Sequence, residues 1–100
     1  MPSAFIVELV RAANEVDRLT ENETSRLLQR AAATIRDYRE LIDDPVAPNG
    51  SDNDIVFELN SMASAVDLFP KEAISAMILE AAEIMKSYKS LLASRRQTSG

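Results

Sequence analysis

Three observations predict an all-α chain, and more narrowly a four-helix bundle built from two tandem antiparallel helical hairpins. Only 2 Gly and 4 Pro occur among 100 residues, too few for a turn-rich β fold, while the frequent Ala, Leu, Glu, Arg and Met favour helices. Apolar residues recur in alternating steps of four and three, which puts them on one stripe of a helix. The chain also resembles itself: a shift of 50 places lays residues 5–42 over 55–92 without a gap. Ten positions of that overlay are identical, namely Glu8/Glu58, Leu9/Leu59, Ala13/Ala63, Val16/Val66, Asp17/Asp67, Ser25/Ser75, Ala31/Ala81, Ala32/Ala82, Tyr38/Tyr88 and Leu41/Leu91. Many others match in kind, such as Ile6/Val56, Leu27/Met77 and Ile35/Met85. A gapless match that continues through the turn reads as an internal duplication.

The first helix is expected near residues 4–18, capped by Ser3, with Phe5, Leu9, Ala12, Val16 and Leu19 on its stripe. Thr20 followed by Glu23 has the spacing of a capping box and opens a second helix near 21–43, striped by Leu28, Ala31, Ile35, Tyr38 and Ile42. An acidic linker over 44–53 follows. Its two prolines and Asn49-Gly50 stop the helix, and Asp52 to Asp54 offer an N-cap to the next. The third helix is expected near 54–67 and the fourth near 70–93, which Pro70 begins without leaving an N–H unpaired. Residues 94–100 read as a loose tail. Turns of a few residues force the helices of each hairpin to run antiparallel. One hairpin alone cannot bury its stripe, and a chain of this length is too short for two independent cores. The two hairpins therefore form one domain over 1–100, stacked within one chain or exchanged between two.

Composition removes several function classes. Without Cys there is no disulfide, thiol nucleophile or thiolate metal site, and without His the side chain that titrates nearest neutrality is missing. No apolar run approaches the roughly 20 residues that a membrane span needs. A signal peptide would need a basic start and a longer apolar stretch, so a cytoplasmic protein is expected. The formal net charge of −5 opposes nucleic-acid binding.

The repeated carboxylates Glu8/Glu58 and Asp17/Asp67 read as structural. Di-metal centres in helical bundles use Glu-x-x-His pairs, and this chain has no His. Glu8 is expected to pair with Arg11 on the surface, and the two aspartates to accept backbone N–H groups at the turns. Tyr38 and Tyr88 are expected to pack their rings on the overhang of the long helices. No catalytic residue, metal or cofactor is expected.

The two copies differ in a way that points outward. Glu15, Arg18, Glu23, Arg26, Gln29 and Thr34 in the first become Ala65, Leu68, Ala73, Ala76, Leu79 and Ile84 in the second. Apolar side chains beyond a core stripe point to a binding surface. Phe57, Leu68, Leu79 and Ile84 are therefore the candidate partner or dimer interface, with a two-fold homodimer its simplest form. The expected function is a small non-enzymatic interaction module, an adaptor, regulator or inhibitor acting through helix faces. The alternative is a small-molecule carrier or enzyme with a ligand cavity between the hairpins.

Overall fold

The computed structural model describes the backbone of residues 2–42 and 51–99 and the side chains of residues 4–41 and 55–94. It is all-α: α1 (Pro2–Asn14), α2 (Glu21–Ile42), α3 (Ser51–Ser64) and α4 (Lys71–Ser99), with short 3-10 turns at Val16–Arg18 and Val66–Leu68. Each half thus runs helix, 3-10 turn, helix, at the 50-residue offset of the sequence overlay.

The boundaries follow from local chemistry. Arg18 N–H donates to the Glu15 carbonyl at 2.8 Å and Leu19 N–H to that of Val16, and Leu68 and Phe69 repeat these bonds on Ala65 and Val66. A 3-10 turn has three residues per turn, so a three-or-four apolar step does not distinguish it from α-helix. This is why α1 and α3 stop at Asn14 and Ser64, short of the expected 18 and 67. Leu19 and Phe69 are then extended, with ψ near 140°. At Phe69 the following Pro70 imposes that conformation sterically. At Leu19 the capping box does the equivalent work: Thr20 N–H donates to Glu23 Oε1 at 2.9 Å, and Glu23 N–H to Thr20 Oγ1 at 3.1 Å.

Three further end assignments differ from expectation. α1 begins at Pro2, so Ser3 lies inside it and not before it. α3 begins at Ser51, within the expected linker, because an Asp-rich segment suits the positive first turn of a helix. α4 continues to Ser99 through the expected tail, which contains no Gly or Pro before Gly100 to stop it. The linker residues 43–50, with both prolines and Asn49-Gly50, lie outside the described residues.

The helices pair across the hairpins more closely than within them. The backbone of α1 runs against α4 and that of α2 against α3, while α2 and α4 also meet. Helices joined by a 3-10 turn hardly approach one another. Facing residues give the directions. Ala13 meets Ser75, and Ile6 and Val7 line a groove with Lys89 and Ser90, so α1 is antiparallel to α4. Glu8 meets Arg30, so α1 is also antiparallel to α2. The long helices α2 and α4 are consequently parallel and form the short diagonal of a rhombic bundle. Its Cα trace spans 46 × 25 × 17 Å, and the long dimension matches the ~43 Å of a 29-residue helix such as α4.

Small side chains make the close approach possible. Ala31, Ala32, Ala81 and Ala82 of the diagonal pair are all buried, among Leu9, Leu28, Ile35, Leu59, Ile78 and Met85. At one end of the diagonal Tyr38 and Tyr88 stack, with centroids 5.9 Å apart and planes 13° from parallel. Two reciprocal hydrogen bonds lock the hairpins together. Ser25 Oγ donates to the Ala63 carbonyl at 2.8 Å, and Ser75 Oγ to the Ala13 carbonyl at 2.9 Å. Those carbonyls belong to the last turns of α3 and α1, where no N–H of the same helix is available to them. Each hairpin therefore closes the helix end of the other, about an approximate two-fold axis.

Candidate functional site

The approximate symmetry permits a position-by-position comparison of the two hairpin faces. Because α1 and α2 stand apart, a groove of about 350 Å³ runs between them. Ala12, Leu19 and Leu27 contribute its apolar floor, and Glu8, Arg11, Glu15, Glu23, Arg26 and Arg30 its charged walls. Arg30 organises this wall. Its Nη1 lies 3.0 Å from Glu8 Oε2, its Nη2 donates to Oε1, and its guanidinium sits 4.5 Å over the Phe5 ring. Glu8 thus pairs across the groove with Arg30 and not with Arg11, the partner that sequence spacing predicts. Arg30 reaches it from the facing helix, where its fork meets both carboxylate oxygens. The long side chains shelter the floor, and Leu27 is buried.

At the corresponding positions of the second hairpin stand Glu58, Ser61, Ala65, Ala73, Ala76 and Glu80. No guanidinium is present there, and three wall residues have shrunk to alanine. The apolar side chains beneath are correspondingly less covered. Met77, Val66 and Val56 are partly exposed where Leu27, Val16 and Ile6 are buried, and Phe69 is 38% exposed. Glu58 and Glu80 occupy the places of the ion-paired Glu8 and Arg30, so the clasp of the first hairpin is replaced by two acids.

The four residues singled out from sequence fall in different places. Leu68 is 77% exposed on its 3-10 turn and Phe57 72% exposed on α3. Leu79, on α4, lines a groove on the α1 side with Val16, Asp17, Lys71, Glu72 and Ala76, the last on the border between the two faces of α4. Ile84 is partly buried and packs against the core. Leu79 therefore shares its groove with none of the other three. The side chains of Asp17 and Asp67 make no hydrogen bond among the described residues, contrary to the expected turn capping. The helix ends use Ser25, Ser75 and the Lys71 ammonium, 3.4 Å from the Val16 carbonyl, instead. The identities Ser25/Ser75 and Ala13/Ala63 in the overlay are the sequence signal for that arrangement, but nothing local shows that each serine bonds the opposite hairpin.

Tyr38 is buried, and burial raises its phenol above the ordinary pKa of 10.0. Its ring stacks on Tyr88 instead of resting only on a helix overhang. On the neighbouring Arg39, Nε and Nη2 are buried with no hydrogen-bond partner among the described residues. Among the described residues no three carboxylates gather where they could hold a metal ion, and no helix is long and apolar enough to cross a membrane. Compared with protein families, with curated proteins and with solved structures, the chain matches none.

Proposed function

We propose that the protein is a small non-enzymatic interaction module of the cytoplasm, binding other proteins through helix faces of its second hairpin. One observation carries this reading. At positions where the first hairpin presents Arg18 and Gln29, the second presents Leu68, 77% exposed, and Leu79, 39% exposed. Phe57, at 72%, adds a large exposed ring to the same hairpin. Single exposed leucines are ordinary on a protein surface. The first hairpin exposes Val7 and Leu41, but an excess in the second is not required by packing, because the fully buried pairs Leu9/Leu59, Leu28/Ile78 and Ile35/Met85 are common to both.

The test is a Leu68→Arg/Leu79→Arg variant compared with wild type by analytical ultracentrifugation and by pull-down from the native host. Both substitutions replace exposed side chains and should leave the helical content unchanged. We expect the variant to lose self-association or its captured partner. Two folded monomers with the same partners would refute the reading.

A further inference from the structure

We infer that the open face between α3 and α4 receives an amphipathic helix of another protein, with basic residues flanking its apolar stripe. This rests on the interaction-module reading and specifies its partner. The apolar part of the argument comes from what the first hairpin does at the same place. There, long charged side chains wall the groove, and Leu27 and Ala12 beneath are buried. In the second hairpin Ala65, Ala73 and Ala76 replace Glu15, Glu23 and Arg26, and Met77 and Phe69, at the places of the groove residues Leu27 and Leu19, are partly uncovered. Small residues between two helices leave room for a third to lie along them, the helix-in-groove mode of recognition.

The charge argument selects the partner. In the first hairpin Glu8 is satisfied by the chain itself, through the Arg30 guanidinium at 3.0 Å. The matching positions of the second hairpin are both acidic, Glu58 and Glu80, and both are exposed. Lys86, the base nearest in sequence to Glu80, is held 3.3 Å from Glu83, and Lys71 reaches toward the Val16 carbonyl. An incoming Arg or Lys beside the apolar stripe supplies what Arg30 supplies in the first hairpin. A symmetric pairing of two copies through this face would instead set Glu58 and Glu80 against a second pair of carboxylates, which like-charge repulsion opposes.

The experiment titrates the full chain into two fluorescently labelled helical peptides that share one Leu/Ala stripe, one flanked by Arg and the other by Glu. Anisotropy should show the Arg-flanked peptide binding roughly tenfold more tightly, with the preference shrinking as salt screens it. The exposed double substitution Glu58→Arg/Glu80→Arg should invert the preference, with helicity unchanged by circular dichroism. Ala73→Glu/Ala76→Arg, which rebuilds the walls of the first hairpin, should weaken both peptides. Equal binding of the two peptides, no binding of either, or a preference that survives charge reversal overturns the inference. So does a homodimer of the wild-type chain that Ala73→Glu/Ala76→Arg dissociates, since that assigns the face to a second copy. If the peptides fail while Leu68→Arg/Leu79→Arg still abolishes association, the interaction-module reading stands and only this assignment falls.

Discussion

The two hairpins share a backbone plan and a buried core, and they differ in what covers them. The first roofs its own groove with arginine and glutamate side chains, whereas the second leaves the matching surface to alanine, methionine and phenylalanine. The bundle itself does not require this difference. Leu9 and Leu59, Leu28 and Ile78, Ile35 and Met85 are all fully buried in equivalent pairs. One helix–turn–helix plan therefore holds the centre of its core constant while the two outer faces differ in charge and apolar exposure.

The largest expected effect tests the shared part. Leu9→Ala and Leu59→Ala each remove a side chain with no solvent exposure and should each cost about 2–5 kcal/mol by chemical denaturation. Unequal costs differing by more than about 2 kcal/mol would show that one hairpin dominates the core. Next come the reciprocal serines. Ser25→Ala and Ser75→Ala leave a helix-end carbonyl without its donor and should each lower stability by about 1 kcal/mol. Because the two bonds share no donor or acceptor, the double variant should lose about the sum of the two. A much larger combined loss would mean that the hairpins dock through these bonds cooperatively.

Arg30→Glu makes the first hairpin resemble the second, with acids at both 8 and 30. The pair is more than half exposed on the arginine side, so the expected loss is less than about 1 kcal/mol. A larger loss in thermal unfolding would give the clasp a structural weight that the second hairpin does without. The smallest effect appears only in alkali. Burial raises the Tyr38 phenol above 10.0, so the unfolded chain releases that proton at a lower pH than the folded one. Its contribution is complete below the unfolded pKa and is lost as pH rises through the folded value. Phenolate absorbance should show Tyr38 ionising above 10.0, together with falling stability. Two tyrosines titrating together at the ordinary value would contradict the buried stack.

Much of the fold is legible in the amino-acid sequence. The four helices and most buried positions follow from the four-and-three spacing and the 50-residue overlay, and the Thr20–Glu23 capping box from its own spacing. The contrast between charged and apolar copies is legible too, since it needs only alignment of the chain with itself. Leu68, which that contrast singles out, and Phe57, which lies off the core stripe, are both exposed to solvent. Ile84 lies against the core because the stripe on a long helix is wider than one row of side chains.

The sequence by itself determined which residues turn inward and that each hairpin needs apolar cover from outside itself, because periodicity encodes the face of a helix. Only the tertiary structure decided that this cover comes from the opposite hairpin, with α2 and α4 meeting along the diagonal and the gap between α1 and α2 spanned by charged side chains. The physical reason is that periodicity says nothing about which neighbour a face meets. That choice rests on how closely alanine-lined backbones can approach, and on two serine hydroxyls that find their carbonyls 38 and 62 residues away.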